Sequence, residues 1–102
     1  MKDAARMLKQ VQQMQGRMAK VQEELAALRV EAAAGGGAVK AVVSGSQQLV
    51  SIRIDPEAAG DAEMLEDLVL AAVNQALEES RRLAAGKMQE VAGGLGLPPG
   101  LL

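Results

Sequence analysis

A chain of 102 residues holds one small domain, and its 49% hydrophobic content comes from Ala, Val, Leu, Ile and Met, with no Phe, Trp or Tyr. With no His and no Cys, imidazole acid–base catalysis, thiol nucleophiles, disulfides and Cys/His zinc sites are excluded. The missing rings likewise exclude base stacking on aromatic side chains, and the net charge of −2 is unevenly spread.

Lys2, Arg6, Lys9, Arg17 and Lys20 oppose only Asp3 in the first twenty residues. Asp55, Glu57, Asp61, Glu63, Glu66, Asp67, Glu78 and Glu79 then form an acidic middle without a base, and Arg81, Arg82 and Lys87 against Glu90 turn the C-terminal part basic again. Fields act within a Debye length of about 8 Å at physiological salt, so these local balances outrank the total. A core without large side chains buries little volume per copy, which predicts self-association. The opening residues are charged and Gln-rich, unlike a signal peptide, and the longest apolar run is Leu68–Val73. A cytoplasmic location is therefore expected.

From residue 3 to about 28 the spacing predicts one long helix. Ala4, Met7, Val11, Met14, Met18, Val21, Leu25 and Leu28 alternate three and four apart, an a/d seam of the kind that packs against another helix. Gly16 falls on the opposite side, where it costs little. On a wheel at about 100° per residue, Lys2, Arg6, Lys9, Arg17 and Lys20 fall between about 340° and 60°, while the seam falls between about 80° and 200°. The helix thus carries one face to bury and a separate cationic ridge about 27 Å long. Such a ridge matches the phosphates of a duplex and binds by counterion release without reading bases. A solvated face is the bland alternative for any cationic stripe; the scarcity of acids over residues 1–20 in an otherwise acidic chain favours a binding surface.

Arg29–Ala34 reads as a first strand, Gly35-Gly36-Gly37 as a turn, and Ala38–Val43 and Leu49–Ile54 as two further strands around the turn Ser44-Gly45-Ser46-Gln47. The result is a three-stranded antiparallel meander, with Val50, Ile52 and Ile54 on one face of the last strand and Ser51 and Arg53 on the other. Asp55-Pro56 closes the sheet. Asp61 suits an N-cap, and Leu65, Leu68, Val69, Ala72, Val73, Ala76 and Leu77 form a stripe broad enough to cover a sheet face. Helical composition continues through Leu83, Lys87, Met88 and Val91, with a possible hinge at Gly86, until Gly93-Gly94 and a Gly/Pro tail. The fold class is α+β: long N-terminal helix, small sheet, and one or two C-terminal helices, with residues 1–92 as the domain and 93–102 as tail.

Other candidate chemistry is absent. The acidic middle lacks the spacing and turn glycine of a calcium loop, and the triple glycine lacks the Lys-Ser/Thr of a phosphate cradle. Ser44, Ser46 and Ser51 have no base to activate them. No catalytic residue, metal or cofactor is assigned, and the chain is not read as an enzyme. Arg81 and Arg82 lie where the C-terminal helix can run back beside the first. A coiled-coil adaptor or holdase-type module is the alternative reading, to be favoured if the seam of Met7, Val11, Met14 and Met18 is open.

Lys9-Gln10-Val11-Gln12-Gln13-Met14-Gln15, Ile54-Asp55-Pro56, Glu63-Met64-Leu65-Glu66-Asp67-Leu68-Val69, Ala72-Val73-Asn74-Gln75-Ala76, Lys87-Met88 and Leu97-Pro98-Pro99-Gly100 follow one another in an order that resembles the YbaB/EbfC family of bacterial nucleoid-associated proteins. The resemblance covers nearly the whole chain. It implies a cytoplasmic, nucleoid-associated homodimer whose projecting helices grip double-stranded DNA like tweezers, with roles in nucleoid organisation and gene regulation. Carried onto this sequence, it implies DNA contacts from Lys2, Arg6, Lys9, Arg17 and Lys20 together with Arg81, Arg82 and Lys87.

Overall fold

Three consecutive glycines with φ of 63°, 67° and 98° turn the chain where no side chain is easily placed, and they set the register of everything around them. At Gly35 a Cβ would also lie 2.9 Å from the Leu68 methyl groups, so an alanine there would push that side chain aside in addition to straining the positive φ. The computed structural model describes residues 2–94. Its elements are α1 (Lys2–Ala27), β1 (Arg29–Ala34), β2 (Val39–Ser44), β3 (Leu49–Ile54), a 3₁₀ turn (Pro56–Gly60) and α2 (Ala62–Gly94). The Leu97-Pro98-Pro99-Gly100 segment lies outside the described residues.

The architecture is the expected α+β one, with a single antiparallel sheet in the order β1-β2-β3. The C-terminal part is one helix, not two. It passes through Gly86, whose missing side chain faces open space, so the glycine lowers helix propensity without creating a break. Helix ends are satisfied locally. Arg29 Nη1 donates to Ala26 O at 2.8 Å and Leu28 O at 3.1 Å, closing α1. Asp55 accepts from Glu57 N at 3.1 Å, and Asp61 accepts from Met64 N at 3.1 Å as the expected N-cap of α2.

The core is built from small side chains. Val30 and Ala32 of β1 and Val39, Ala41 and Val43 of β2 pack against Ala72 and Ala76 of α2, rimmed by Leu65, Leu68, Val69, Val73 and Leu77. Alternation on β1 and β2 is clean, with buried residues facing α2. The helical stripe covers β1 and β2 but leaves β3 bare: every residue of that strand is exposed. Register pairs Val39 with Ile54, Ala41 with Ile52 and Val43 with Leu49, so these three apolar side chains continue the helix-facing surface beyond the helix. Val50 is the extra residue at an irregularity between Val42 and Val43.

The molecule measures 70 × 21 × 16 Å with a radius of gyration of 19.3 Å, against about 13 Å for a compact chain of this length. Glu24 meets Lys87 and Arg17 meets Gly94, so α1 and α2 run antiparallel, offset lengthwise. A helix of 33 residues spans about 50 Å, and the first fifteen residues of α1 reach about 22 Å past its end, which together account for the long axis. Among the described residues no helix is long and apolar enough to cross a membrane.

Candidate nucleic-acid interface

The seam of α1 is used along only half of its length. Val21 and Leu25 are buried and Met14 and Met18 half-buried beside α2, whereas Met7 and Val11, farther out, are 65% and 43% exposed. The N-terminal half of α1 is therefore an arm projecting past the other described residues. Met7, Gln10, Val11, Gln13, Met14 and Arg17 line a groove along it that ends at Gly94.

Lys2, Arg6, Lys9, Arg17 and Lys20 are all exposed on α1, the first three on the projecting arm and the last two beside α2, and none lies within 4.0 Å of a carboxylate among the described residues. The wheel sets all five apart from the seam, but Arg17 lines the groove along it. Arg17 borders that seam; its Nη1 lies 2.9 Å from where a Cβ on Gly94 would sit. The candidates on α2 differ. Arg81 is exposed and without a carboxylate within reach, but Arg82 is hydrogen-bonded to Glu79 one turn earlier. That carboxylate, through the hydrogen bond first and its charge second, raises the Arg82 pKa further. Lys87 Nζ lies 3.4 Å from Glu24 Oε2 and tethers α2 to α1. Both charges are thus partly offset inside the molecule, and exposed pairs of this kind contribute only about 0–1 kcal/mol to stability.

Two cations on the sheet were not singled out by sequence. Lys40 and Arg53 sit directly opposite each other on β2 and β3, on the face away from α2. Their signal was available in the alternation of β3, which placed Ser51 and Arg53 opposite the isoleucines. Six of the thirteen acids, Asp55, Glu57, Asp61, Glu63, Glu66 and Asp67, surround the start of α2, toward the end of the 70 Å axis opposite the tip of α1. An approaching polyanion meets cations at one end and carboxylates at the other.

Between these poles lies a polar joint that composition did not reveal. Ser80 is completely buried in the middle of α2, and its hydroxyl donates to Ser44 O at 2.6 Å. Gln47 Nε2 donates to Ser80 Oγ at 3.1 Å and to Gly45 O at 2.7 Å. Among the described residues no buried side-chain polar atom lacks a partner, and no group of His, Cys, Asp and Glu is arranged to hold a metal ion.

The family model of the YbaB/EbfC DNA-binding family matches residues 1–95. A nucleoid-associated protein of Thermoanaerobacter pseudethanolicus is 54% identical over 94 residues, covering 90% of this chain and 85% of that protein. One of Pelodictyon phaeoclathratiforme is 50% identical over 96 residues, covering 94% and 86% respectively. Among solved structures, an uncharacterised protein of Helicobacter pylori superposes with a TM-score of 0.66 at 26% identity, over 76% of this chain and 87% of that one.

Proposed function

The chain belongs to the YbaB/EbfC DNA-binding family, and we propose that it is a nucleoid-associated protein that binds double-stranded DNA as a homodimer, mainly through the phosphate backbone. The observation that carries this reading is the long first helix with five exposed cations, three of them on its projecting arm, and no carboxylate paired to them among the described residues. Lys and Arg held this way release counterions from the duplex and need no base contacts. Arg81 adds to the same surface, with Arg82 and Lys87 contributing charge already shared with Glu79 and Glu24. No catalytic step or cofactor is part of the reading, and the site of action is the nucleoid within the cytoplasm, where bending or bridging DNA organises it and alters gene expression. Residues 1–92 act as one DNA-binding domain, because α2 joins sheet to arm without interruption.

The homodimer is supported by the bare strand. Leu49, Ile52 and Ile54 are 50%, 37% and 40% exposed, and Leu65, Val69 and Leu70 on the neighbouring flank of α2 form a shallow apolar depression. An isologous contact through β3 and this flank covers both patches at once and doubles the arms about a two-fold axis. Reversing three charges, in the variant R6E/K9E/R17E, should abolish duplex binding in a gel-shift titration while the solution mass stays dimeric. Unchanged affinity in a dimeric triple variant would remove the ridge from the mechanism.

A second reading has an observation in its favour: Met7 and Val11 leave the outer seam open, as an adaptor or holdase-type protein-binding module requires. Suppression of aggregation of a model client, with no duplex binding at physiological salt, would select that reading instead.

A further inference from the structure

The contact between α2 and the sheet is made of side chains with little relief. Its fully buried members are Ala72 and Ala76 from the helix against Val39, Ala41 and Val43, and the largest fully buried side chains anywhere among the described residues are Val39, Val43 and Ser80. The larger side chains of α2, Leu65, Leu68, Val69, Val73 and Leu77, pack half-buried at the rim of this contact, so apolar packing orders the layers without the single directional arrangement that hydrogen bonds impose. Hydrogen bonds are directional, and a fully satisfied buried network specifies a single arrangement. One such network exists, anchored on the buried Ser80 and closed by the exposed Gln47, at the place where α2 leaves the sheet and runs on beside α1.

Three elements converge there. Ser80 of α2 donates to Ser44 O at the end of β2. Gln47, in the turn between β2 and β3, reaches back to Ser80 Oγ and to Gly45 O, and it holds φ at 62°, a left-handed conformation that only the rest of the structure sustains in a residue other than glycine. Gly45 N donates to Leu28 O at 3.1 Å, just past the end of α1. Ser44 Oγ accepts from Gln48 N at 3.2 Å, tightening the same turn.

We propose that Ser80 and Gln47 are positioning residues for nucleic-acid binding: their bonds to the β2–β3 turn fix the direction of the helical arm relative to the sheet. The inference rests on the DNA-binding reading for its functional consequence but not for its structural content. Leverage makes the pin consequential. From Leu25 at the joint to Lys2 at the tip is about 35 Å of helix, so a tilt of about 10° at the joint moves the outer cations by about 6 Å. In a dimer that embeds the sheets at its centre, the pins set the gap between two cationic ridges, and a loosened pin leaves each ridge intact but no longer preorganised for a duplex.

The absence of cysteine allows a direct test. Spin labels at Ala33→Cys on β1 and Gln89→Cys on the part of α2 that runs beside α1, both exposed positions, report the angle between the sheet and the helix pair that carries the arm by pulsed EPR in samples diluted with unlabelled protein. The labelled parent should give one narrow distance distribution, and Ser80→Ala and Gln47→Gly should each broaden or shift it. Gln47→Gly separates the pin from backbone strain, since glycine suits the positive φ better while removing the amide. Ser46→Ala, which touches only Ser44 within this turn, should leave the distribution narrow. Affinity for a duplex should fall about tenfold in the pin variants with the slope of log affinity on log salt unchanged, because the number of phosphates engaged is the same. Folded Ser80→Ala and Gln47→Gly proteins with the parent's distance distribution would overturn the proposal. Failure of the parent to bind duplex DNA would instead overturn the functional reading and leave the EPR result standing.

Discussion

Gly45 shows how a single missing side chain governs the joint. A Cβ there would lie 2.7 Å from Leu25 O and 3.1 Å from Leu25 Cα, both backbone atoms that cannot rotate away. Gly45→Ala should therefore destabilise the fold by about 1–3 kcal/mol, read as a lowered midpoint in urea unfolding at unchanged slope. Gly86→Ala is the contrasting case. Nothing lies within 4 Å of its Cβ position inside α2, so alanine should raise stability by up to about 1 kcal/mol through helix propensity alone. Sequence pattern separated neither glycine by role: Gly45 looked like turn chemistry and Gly86 like a hinge. The distinction lies in what each one faces across the fold, which no local window contains. Ser80 was hidden for the same reason, since a serine between Glu79 and Arg81 reads as helix surface until the β2–β3 turn is placed over it.

Among the elements, β3 is where pattern and burial part company. The strands, their order and the glycine turn were legible because β-branched runs and turn residues are local signals, and the a/d seam placed α1 correctly. Alternation on β3 groups Val50, Ile52 and Ile54 on one face; the register keeps the two isoleucines together and turns them toward the helix side, but the irregularity at Val50 gives its place to Leu49. Their exposure was not legible, because alternation tells which face a residue takes and not whether α2 is wide enough to cover it. An apolar, uncovered edge strand is a template for pairing or aggregation unless something covers it. The double variant Ile52→Asp/Ile54→Asp should consequently yield a folded monomer in sedimentation velocity, since these side chains already face solvent in one copy. A dimer of unchanged stability would move the interface elsewhere. The pairing of Lys87 with Glu24 was equally beyond the sequence, for it depends on the offset between antiparallel helices.

At the scale of the molecule, charge and shape align. Among the described residues five cations without a carboxylate partner lie along α1, whose tip ends one side of a 70 Å body, and the carboxylates from Asp55 to Asp67 lie toward the other. A net charge of −2 is then no obstacle to binding a polyanion, because a duplex at the arm is several Debye lengths from the acidic pole at physiological salt. A core built without aromatic residues leaves β3 bare, and the dimer proposed through that strand would supply a second arm. Binding through phosphate contacts from the α1 ridge is tested by a duplex titration across a series of salt concentrations. With six or more phosphates engaged per dimer, log affinity should fall linearly with log salt at a slope of about −5 or steeper, becoming markedly shallower in R6E/K9E/R17E. A parent slope near zero, or the same slope in the triple variant, would contradict it.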